Sequence, residues 1–170
     1  ERPDPRLEDA LTLVGDARIG IEHVSSVVAD LRALGRLSER KAQRVDIADL
    51  LRTATRLTRN ELYHRARVVE ELEANLVVVA YRTRLLQAFS NVLLNAAQAL
   101  EPGKAEHHRV HVRARRAGSA VEITITDTGA GMPRALVARA FEPFVTARAD
   151  GTGLGLALVR EIVEEHEGTV

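Results

Sequence analysis

Two alternating segments in the second half of the chain constrain its fold most strongly. Apolar residues alternate with polar ones in both of them, at Val110, Val112 and Ala114 and then at Val121, Ile123 and Ile125. A period of two residues predicts strands with one buried face, and the Gly118-Ser119 pair between the segments predicts a hairpin turn. Other elements of the chain must therefore cover the apolar face of an antiparallel strand pair.

Helical spacing on both sides of the hairpin predicts what covers that face. Apolar periodicity predicts helices at residues 47–62, 82–100, 134–141 and 154–166. Asp46 is the expected N-cap of the first helix, and Pro102-Gly103 ends the second. Enrichment in β-branched residues predicts short strands at 68–72 and 76–80. This order of elements predicts an α+β fold rather than a regular βαβ alternation.

A heptad repeat occupies the N-terminal part of the chain, between residues 6 and 37. Its apolar positions are Leu7, Ala10, Val14, Ala17, Ile21, Val24, Val28 and Leu31. The repeat predicts one long helix in a coiled coil or helix bundle, and a core-facing helix of a globular domain is the alternative. Polar residues follow, so we expect a helical unit at 1–38, a linker at 39–45 and a second domain at 46–170.

Composition excludes several classes of protein. The 24 basic and 24 acidic residues balance, and aromatic residues make up 3%, which argues against a nucleic-acid-binding protein. Without cysteine there is no disulfide or thiolate metal site. No apolar run approaches the roughly 20 residues of a membrane span. We therefore expect a cytoplasmic chain without membrane contact, and, because it begins with Glu1, we expect it to be part of a longer protein that is either soluble or membrane-anchored.

Two glycine-rich loops are candidates for binding a nucleotide. Gly151, Gly153 and Gly155 open the last predicted helix, where backbone N–H groups can bind phosphates. Their spacing fits neither the dinucleotide fingerprint nor the P-loop. The other loop, Asp127-Thr128-Gly129-Ala130-Gly131-Met132, follows a strand, where a carboxylate can accept a hydrogen bond from an exocyclic amine. Each loop, taken alone, is also compatible with an ordinary turn.

A pair of asparagines marks the long helix predicted at 82–100. Asn91 and Asn95 are four residues apart and share one face, while Leu93, Leu94 and Ala97 are expected on the opposite, buried side. Amide oxygens can coordinate Mg²⁺, which keeps several of its waters and also takes phosphate ligands. A solvated pair of polar residues is the alternative.

In this order the three elements resemble the N, G1 and G2 boxes of sensor histidine kinases, members of the GHKL ATPase superfamily that also includes gyrase and MutL. Phe141-Glu142-Pro143-Phe144 resembles their F box. The resemblance covers about residues 40 to 170. It implies a two-layer α/β sandwich with three helices on a mixed sheet and a Bergerat-type ATP site. The heptad helix resembles the second helix of the dimerisation and phosphotransfer bundle.

The resemblance also implies roles for individual residues. Asn95 matches the Mg²⁺ ligand and Asp127 the aspartate that reads adenine. The remaining adenine-loop and phosphate-lid positions are Gly129, Gly131, Met132, Gly151, Thr152, Gly153, Leu154 and Gly155. Arg148 takes the place of a basic lid residue near the phosphates, and Asn91 is expected to orient a water or the acceptor.

The implied reaction is transfer of the ATP γ-phosphoryl group to a histidine, with ADP as product and a response regulator as protein partner. Homodimerisation through the N-terminal helix is also implied. However, none of the six histidines lies in the family's phosphoacceptor motif. A nucleotide-binding or dimerisation module without transfer activity, or a serine kinase of the same superfamily, is therefore the alternative. Residues 168–170 resemble the start of a late strand, so we expect a catalytic domain truncated at its C-terminus.

Overall fold

A computed structural model describes residues 41–148 and 151–170. The heptad helix expected between residues 6 and 37 lies outside these ranges and stays a prediction. None of the helices in the described ranges combines the length and apolarity needed to cross a bilayer.

The described elements agree with most of the predicted ones. In chain order they are β1 (Gln43–Asp46), α1 (Ile47–Leu57), α2 (Arg59–Tyr63), β2 (Arg67–Leu72), β3 (Val77–Ala80), α3 (Arg82–Gln98), β4 (Arg109–Ala117), β5 (Ala120–Asp127), α4 (Arg134–Val137) and α5 (Gly155–Glu165). The Asp46 side chain accepts a hydrogen bond from the Asp49 N–H at 3.2 Å, which confirms the predicted N-cap of α1.

The strands form a mixed sheet and a separate antiparallel pair. In the larger sheet the order is β2-β4-β5, with β2 parallel to β4 and β4 antiparallel to β5. The predicted hairpin is thus confirmed, with Val112 opposite Ile125. The smaller sheet pairs β1 with β3, with Val45 opposite Val78.

The core lies between one face of the larger sheet and the three long helices, α1, α3 and α5. Val110, Val112 and Ala114 of β4 are at most 2% exposed. The helices bury apolar residues against them, including Leu50, Leu93 and Ile162. The opposite face of the sheet carries exposed charged residues such as Arg113 and Glu122. The result is the expected two-layer α/β arrangement.

The N-terminal boundary differs from the prediction. Residues 43–45, expected in the linker, belong to β1, so this part of the linker prediction is wrong. Although the segment is polar, Val45 is 4% exposed and the strand pairs with β3, 31 to 37 residues away along the chain. The position of the domain boundary itself stays a prediction.

Two further differences concern the ends of helices. The helix expected at 47–62 is interrupted at Thr58, whose buried hydroxyl donates to the Ala54 carbonyl at 2.9 Å and ends α1. The strand expected at 168–170 is absent from the described residues. Instead, the Gly168 N–H donates to the Val163 carbonyl at 2.9 Å and closes the C-terminal end of α5.

Polar contacts join the start of α3 to the end of α5. The Arg84 guanidinium bonds Glu161 at 2.7 Å and Glu165 at 2.9 Å. Partial burial acts to lower the pKa of Arg84, but the hydrogen bonds to both carboxylates outweigh it and the pKa lies above its ordinary value. The Tyr81 N–H donates to His166 Nε2 at 3.0 Å, so the two helices are fixed to each other next to the core.

Replacing Leu158 tests the packing of α5 against this core. Leu158 is 2% exposed, and Leu158→Ala is expected to lower the free energy of unfolding by about 2–5 kcal/mol because it leaves a cavity. Leu57→Ala is the matched control, because Leu57 also lies in a helix but is 65% exposed, and a change within about 0.5 kcal/mol is expected. Urea denaturation followed by circular dichroism measures both, and equal effects would contradict the assigned packing.

Candidate functional site

A cavity of about 480 Å³ opens between α3, the loop after β5 and the segment that leads into α5. It brings together most of the residues that the sequence singled out. Those lining it are Asn91, Asn95, Gly131, Met132, Arg148, Gly151, Thr152, Gly153 and Gly155. Three others that the sequence singled out, Asp127, Gly129 and Leu154, are not among the lining residues.

One face of α3 forms a wall of the cavity. Asn91 and Asn95 share this wall with Leu94 and Gln98, at spacings of three and four residues. The expectation that Leu94 is on the buried side is wrong, whereas Leu93 and Ala97 are fully buried there. Helical spacing from Asn91 could have identified Leu94 and Gln98 as lining residues, since position 94 follows it by three and position 98 by seven.

The loop after β5 is held tightly against the end of α3. The Gly129 N–H donates to Asp127 Oδ1 at 2.8 Å. A Cβ atom on Gly129 would lie 2.5 Å from the Ala99 carbonyl oxygen and 2.7 Å from the Asp127 carboxylate. Only glycine can therefore occupy this position without moving the loop backbone away from α3.

Thr128 joins the same loop to the start of β4. Its N–H donates to the Arg109 carbonyl at 3.2 Å, and its hydroxyl accepts from the Arg109 N–H at 3.0 Å. Asp127 is thus the last residue of β5 that pairs with β4, opposite Val110, and the next residue is also bonded to the start of β4. This role of Thr128 is not visible in the local sequence, because its partner Arg109 is nineteen residues away.

The opposite wall consists of the segment that follows the Phe141–Phe144 motif. Val145, Thr146 and Ala147 line the cavity together with Leu136 and Ala140 from the region of α4. The Phe144 N–H donates to the Gly153 carbonyl at 3.0 Å, which joins this wall to the glycine-rich segment. None of these five wall residues was predicted as a site residue from the sequence.

The start of α5 meets the two asparagines. Asn91 Nδ2 donates to the Gly155 carbonyl at 3.4 Å, and a Cβ atom on Gly155 would lie 3.8 Å from Asn95 Nδ2. The N–H groups of the first helical turn have no partner within their own helix, and the helix dipole is positive at this end. The cavity therefore combines amide side chains with a helix N-terminus, an arrangement suited to binding an anion.

Phe141 and Phe144 differ in their surroundings. The Phe141 side chain is half-buried under α5, with the Arg160 guanidinium carbon 5.0 Å from the ring centroid. Phe144 is 75% exposed and has a positive φ of 66°, which is uncommon for a residue with a side chain. The first ring thus anchors the motif to the core, and the second is exposed next to Val145, which lines the cavity.

Comparison with known proteins identifies this architecture. Residues 80–170, from the end of β3 through α5, match the family described as "Histidine kinase-, DNA gyrase B-, and HSP90-like ATPase". The chain belongs to this ATPase family. The match includes both asparagines, both glycine-rich loops and the phenylalanine motif, so the resemblance found in the sequence is confirmed.

The chain's relatives include a nitrogen regulation protein and a sensor histidine kinase. Nitrogen regulation protein NtrY of Azorhizobium caulinodans is 45% identical over 92 residues, which are 52% of this chain and 12% of NtrY. Sensor histidine kinase ZraS of Escherichia coli strain K12 is 33% identical over 152 residues, which are 88% of this chain and 32% of ZraS. The chain thus spans about a third or less of the length of these relatives.

A solved ATPase-family structure has the same fold. The catalytic domain of histidine kinase ThkA superposes with a TM-score of 0.65 at 26% identity, covering 74% of this chain and 81% of that one. The predicted fold class is therefore confirmed for the described residues.

Proposed function

We propose that this chain is the ATP-binding catalytic part of a sensor histidine kinase, which transfers the ATP γ-phosphoryl group to a histidine. The observation that carries the proposal is the convergence of Asn91 and Asn95, the loop after Asp127 and the start of α5 on one cavity. The kinase names of ZraS and ThkA support the reaction class.

The adenine base is assigned to the loop end of the cavity. Because Asp127 Oδ1 already accepts from the Gly129 N–H, the second carboxylate oxygen is the one assigned to the exocyclic amine of adenine. Gly129 and Gly131 allow the backbone to approach a flat base. Met132, which lines the cavity and is 44% exposed, covers one face of the base.

The phosphates are assigned to the opposite end, at the start of α5. The backbone N–H groups of residues 152–156, including Thr152 and Gly155, would stabilise phosphate oxygens. The Leu154 N–H donates to the Thr152 hydroxyl at 3.3 Å and would have to exchange that bond for a phosphate oxygen. Arg148, half-buried in the cavity wall, would add positive charge. Phosphoryl transfer requires positioning and charge neutralisation more than covalent chemistry, which this arrangement supplies.

The donor set around Asn95 fits a magnesium ion bound together with the nucleotide. The described ranges contain no group of three or more histidine, aspartate or glutamate side chains that could hold a metal ion. A single amide oxygen from Asn95 is compatible with Mg²⁺, which takes its other ligands from phosphates and water. When bound, the ion neutralises phosphate charge during transfer.

The proposed transfer step forms one bond to the γ-phosphorus and breaks another. A lone pair on a nitrogen of the acceptor imidazole forms the N–P bond, and the bond between γ-phosphorus and its bridging oxygen breaks. The bond's electron pair leaves on ADP, and the proton on the other ring nitrogen passes to solvent. Asn91, one turn before Asn95 on the cavity wall, orients the incoming acceptor.

Protein partners belong to the same proposal. ThkA is known in complex with the response regulator protein TrrA, and a response regulator is the partner proposed here. Residues 1–38 would form the second helix of a dimerisation bundle and join the catalytic domain at 46–170 through the linker. The proposed location of this part of the protein is the cytoplasm.

Replacing Asn95 tests the nucleotide and magnesium assignments together. Asn95→Ala is expected to reduce the Mg²⁺-dependent gain in ATP affinity by roughly tenfold, or about 1.4 kcal/mol, and to leave Mg²⁺-free binding almost unchanged. Gln98→Ala is the matched control, because Gln98 is an amide on the same cavity wall. Isothermal titration calorimetry with and without Mg²⁺ measures both variants. A loss of affinity that is equal with and without the ion would contradict the Asn95 assignment.

Transfer activity requires a separate experiment, because the chain lacks the family's acceptor motif. A phosphoacceptor helix bundle added in trans with γ-labelled ATP should acquire label that is lost in acid, as phosphohistidine is acid-labile. Acid-stable label would indicate a serine kinase. Binding of ATP without any labelling would indicate a nucleotide-binding module.

A further inference from the structure

A second cavity, of about 640 Å³, lies between α1, α2 and β2. It has no lining residue in common with the nucleotide cavity, and the proposed function does not use it. Its position beside the outermost strand of the larger sheet makes it a groove along a sheet edge.

That strand, β2, offers unpaired backbone groups to the groove. The Arg67 N–H donates to the His108 carbonyl at 3.0 Å, and the Glu73 N–H to Ala114 at 2.9 Å, on either side of the β2–β4 ladder. Alternate residues of a strand direct their backbone groups to opposite edges, so those of Val68, Glu70 and Leu72 point away from β4. Within residues 41–148 and 151–170 no strand pairs with β2 on that side.

Positive charge dominates the walls of the groove. Its lining contains four arginines and one acidic residue, Glu70; the arginines are Arg52, Arg56, Arg59 and Arg67. Arg52 also pairs with Asp49 at 2.9 Å, and the Arg59 guanidinium carbon lies 5.9 Å from the Tyr63 ring centroid. Arg52 and Arg56 are four residues apart on one face of α1, and Arg59 is the first residue of α2; all three line the cavity beside the strand edge.

The floor of the groove is apolar. Leu62 is 1% exposed and Ala66 is 6% exposed, and both line the cavity together with Val68. Tyr63 is 64% exposed and offers an aromatic surface beside the arginines. Side chains of an added strand would therefore meet an apolar surface near the sheet and guanidinium groups above it.

A second copy of this chain does not fit the groove. Antiparallel pairing of two β2 edges around their centres would bring Glu70 of one copy near Glu70 of the other, and would bring two basic walls together. Like charges that face each other across a strand pair or an interface are destabilising.

We propose that the β2 edge binds an extended acidic segment of a partner protein, which adds to the sheet as a further strand. Alternate residues of a strand face the same side, so Asp or Glu at every second position would meet the arginines. Backbone hydrogen bonds to Val68, Glu70 and Leu72 supply affinity, and the charges supply selectivity.

A fluorescein-labelled seven-residue peptide with Glu at alternate positions and Thr between them tests the charge requirement. Fluorescence anisotropy with the 170-residue chain should show binding that weakens with added salt, whereas a Lys-for-Glu peptide should not bind. The double variant Arg52→Glu/Arg56→Glu is expected to weaken binding roughly tenfold or more. Absence of binding at millimolar peptide, or binding unchanged by the double variant, overturns the proposal.

The strand-addition geometry is tested by removing an outward-facing donor. Glu70→Pro deletes an N–H that points away from β4, so it should abolish peptide binding, while Glu70→Gln keeps the N–H and should bind at least as well as wild type. Circular dichroism and ATP binding verify that both variants fold. A peptide that is N-methylated at its edge-facing amides tests the same hydrogen bonds from the peptide's side, and it should not bind the wild-type chain. Equal binding by all of these peptides and variants overturns strand addition. Concentration-dependent dimerisation lost in Glu70→Pro also overturns the proposal, because it would assign the edge to a second copy of the chain.

Discussion

Asp127→Asn is expected to lower ATP affinity roughly a hundredfold, or about 2.7 kcal/mol, without unfolding the protein. The wild-type carboxylate accepts from the Gly129 N–H with one oxygen and is proposed to accept from adenine with the other. An asparagine can keep only one of these bonds. If its oxygen remains on Gly129, its NH₂ group faces the adenine amine and two donors oppose each other.

This donor reversal also predicts a change in base preference. Guanine presents a carbonyl where adenine presents an amine, so the affinity ratio of ATP to GTP should fall sharply in Asp127→Asn. Asp49→Asn, the same substitution on the exposed side of α1, should leave both affinities unchanged. Calorimetric titration of the three proteins with ATP and GTP measures the ratios. Unchanged ATP affinity in Asp127→Asn would contradict the base assignment.

Local periodicity was sufficient to predict the parts of this fold that bury one face. The alternating valines and isoleucines of β4 and β5 gave their strands and turn, and the spacing of Asn91 and Asn95 placed both on one wall of the cavity. The order of the glycine loops along the chain then indicated the family. These features depend on residues that are close together in the sequence, so they can be predicted from it.

The elements that the sequence did not reveal depend on pairing between separate segments or on burial, neither of which a local pattern shows. β1 is polar except for Val45 and exists because it pairs with β3. The break between α1 and α2 depends on burial of the Thr58 hydroxyl against Ala54, although the apolar spacing continues through it. The cavity wall at 145–147 is positioned by the contact between Phe144 and Gly153, which neither segment reveals alone.

That contact leads to the second large effect, because Gly153→Ala is expected to lower ATP affinity roughly a hundredfold as well. Gly153 has a φ of +67°, and a Cβ atom there would lie 2.5 Å from the carbonyl carbon of Phe144 and 2.7 Å from Val145 N. Backbone atoms cannot rotate away as a flexible side chain can. The glycine segment must therefore move away from Phe144, and with it the N–H groups proposed to bind the phosphates.

Two other glycines separate this clash from the cost of the backbone conformation alone. Gly118 lies in the β4–β5 turn and has a φ of +64°, and Gly131 lies in the cavity and has a φ of +71°. At both positions no atom lies within 4 Å of an added Cβ. Gly118→Ala should cost about 1 kcal/mol of stability and leave ATP affinity unchanged, and Gly131→Ala should reduce affinity far less than Gly153→Ala. Calorimetry and thermal unfolding of the three variants distinguish the effects. If Gly118→Ala weakened ATP binding as much as Gly153→Ala, general destabilisation would explain both losses of affinity. The packing of Gly153 against Phe144 would then not be responsible for the position of the phosphate segment.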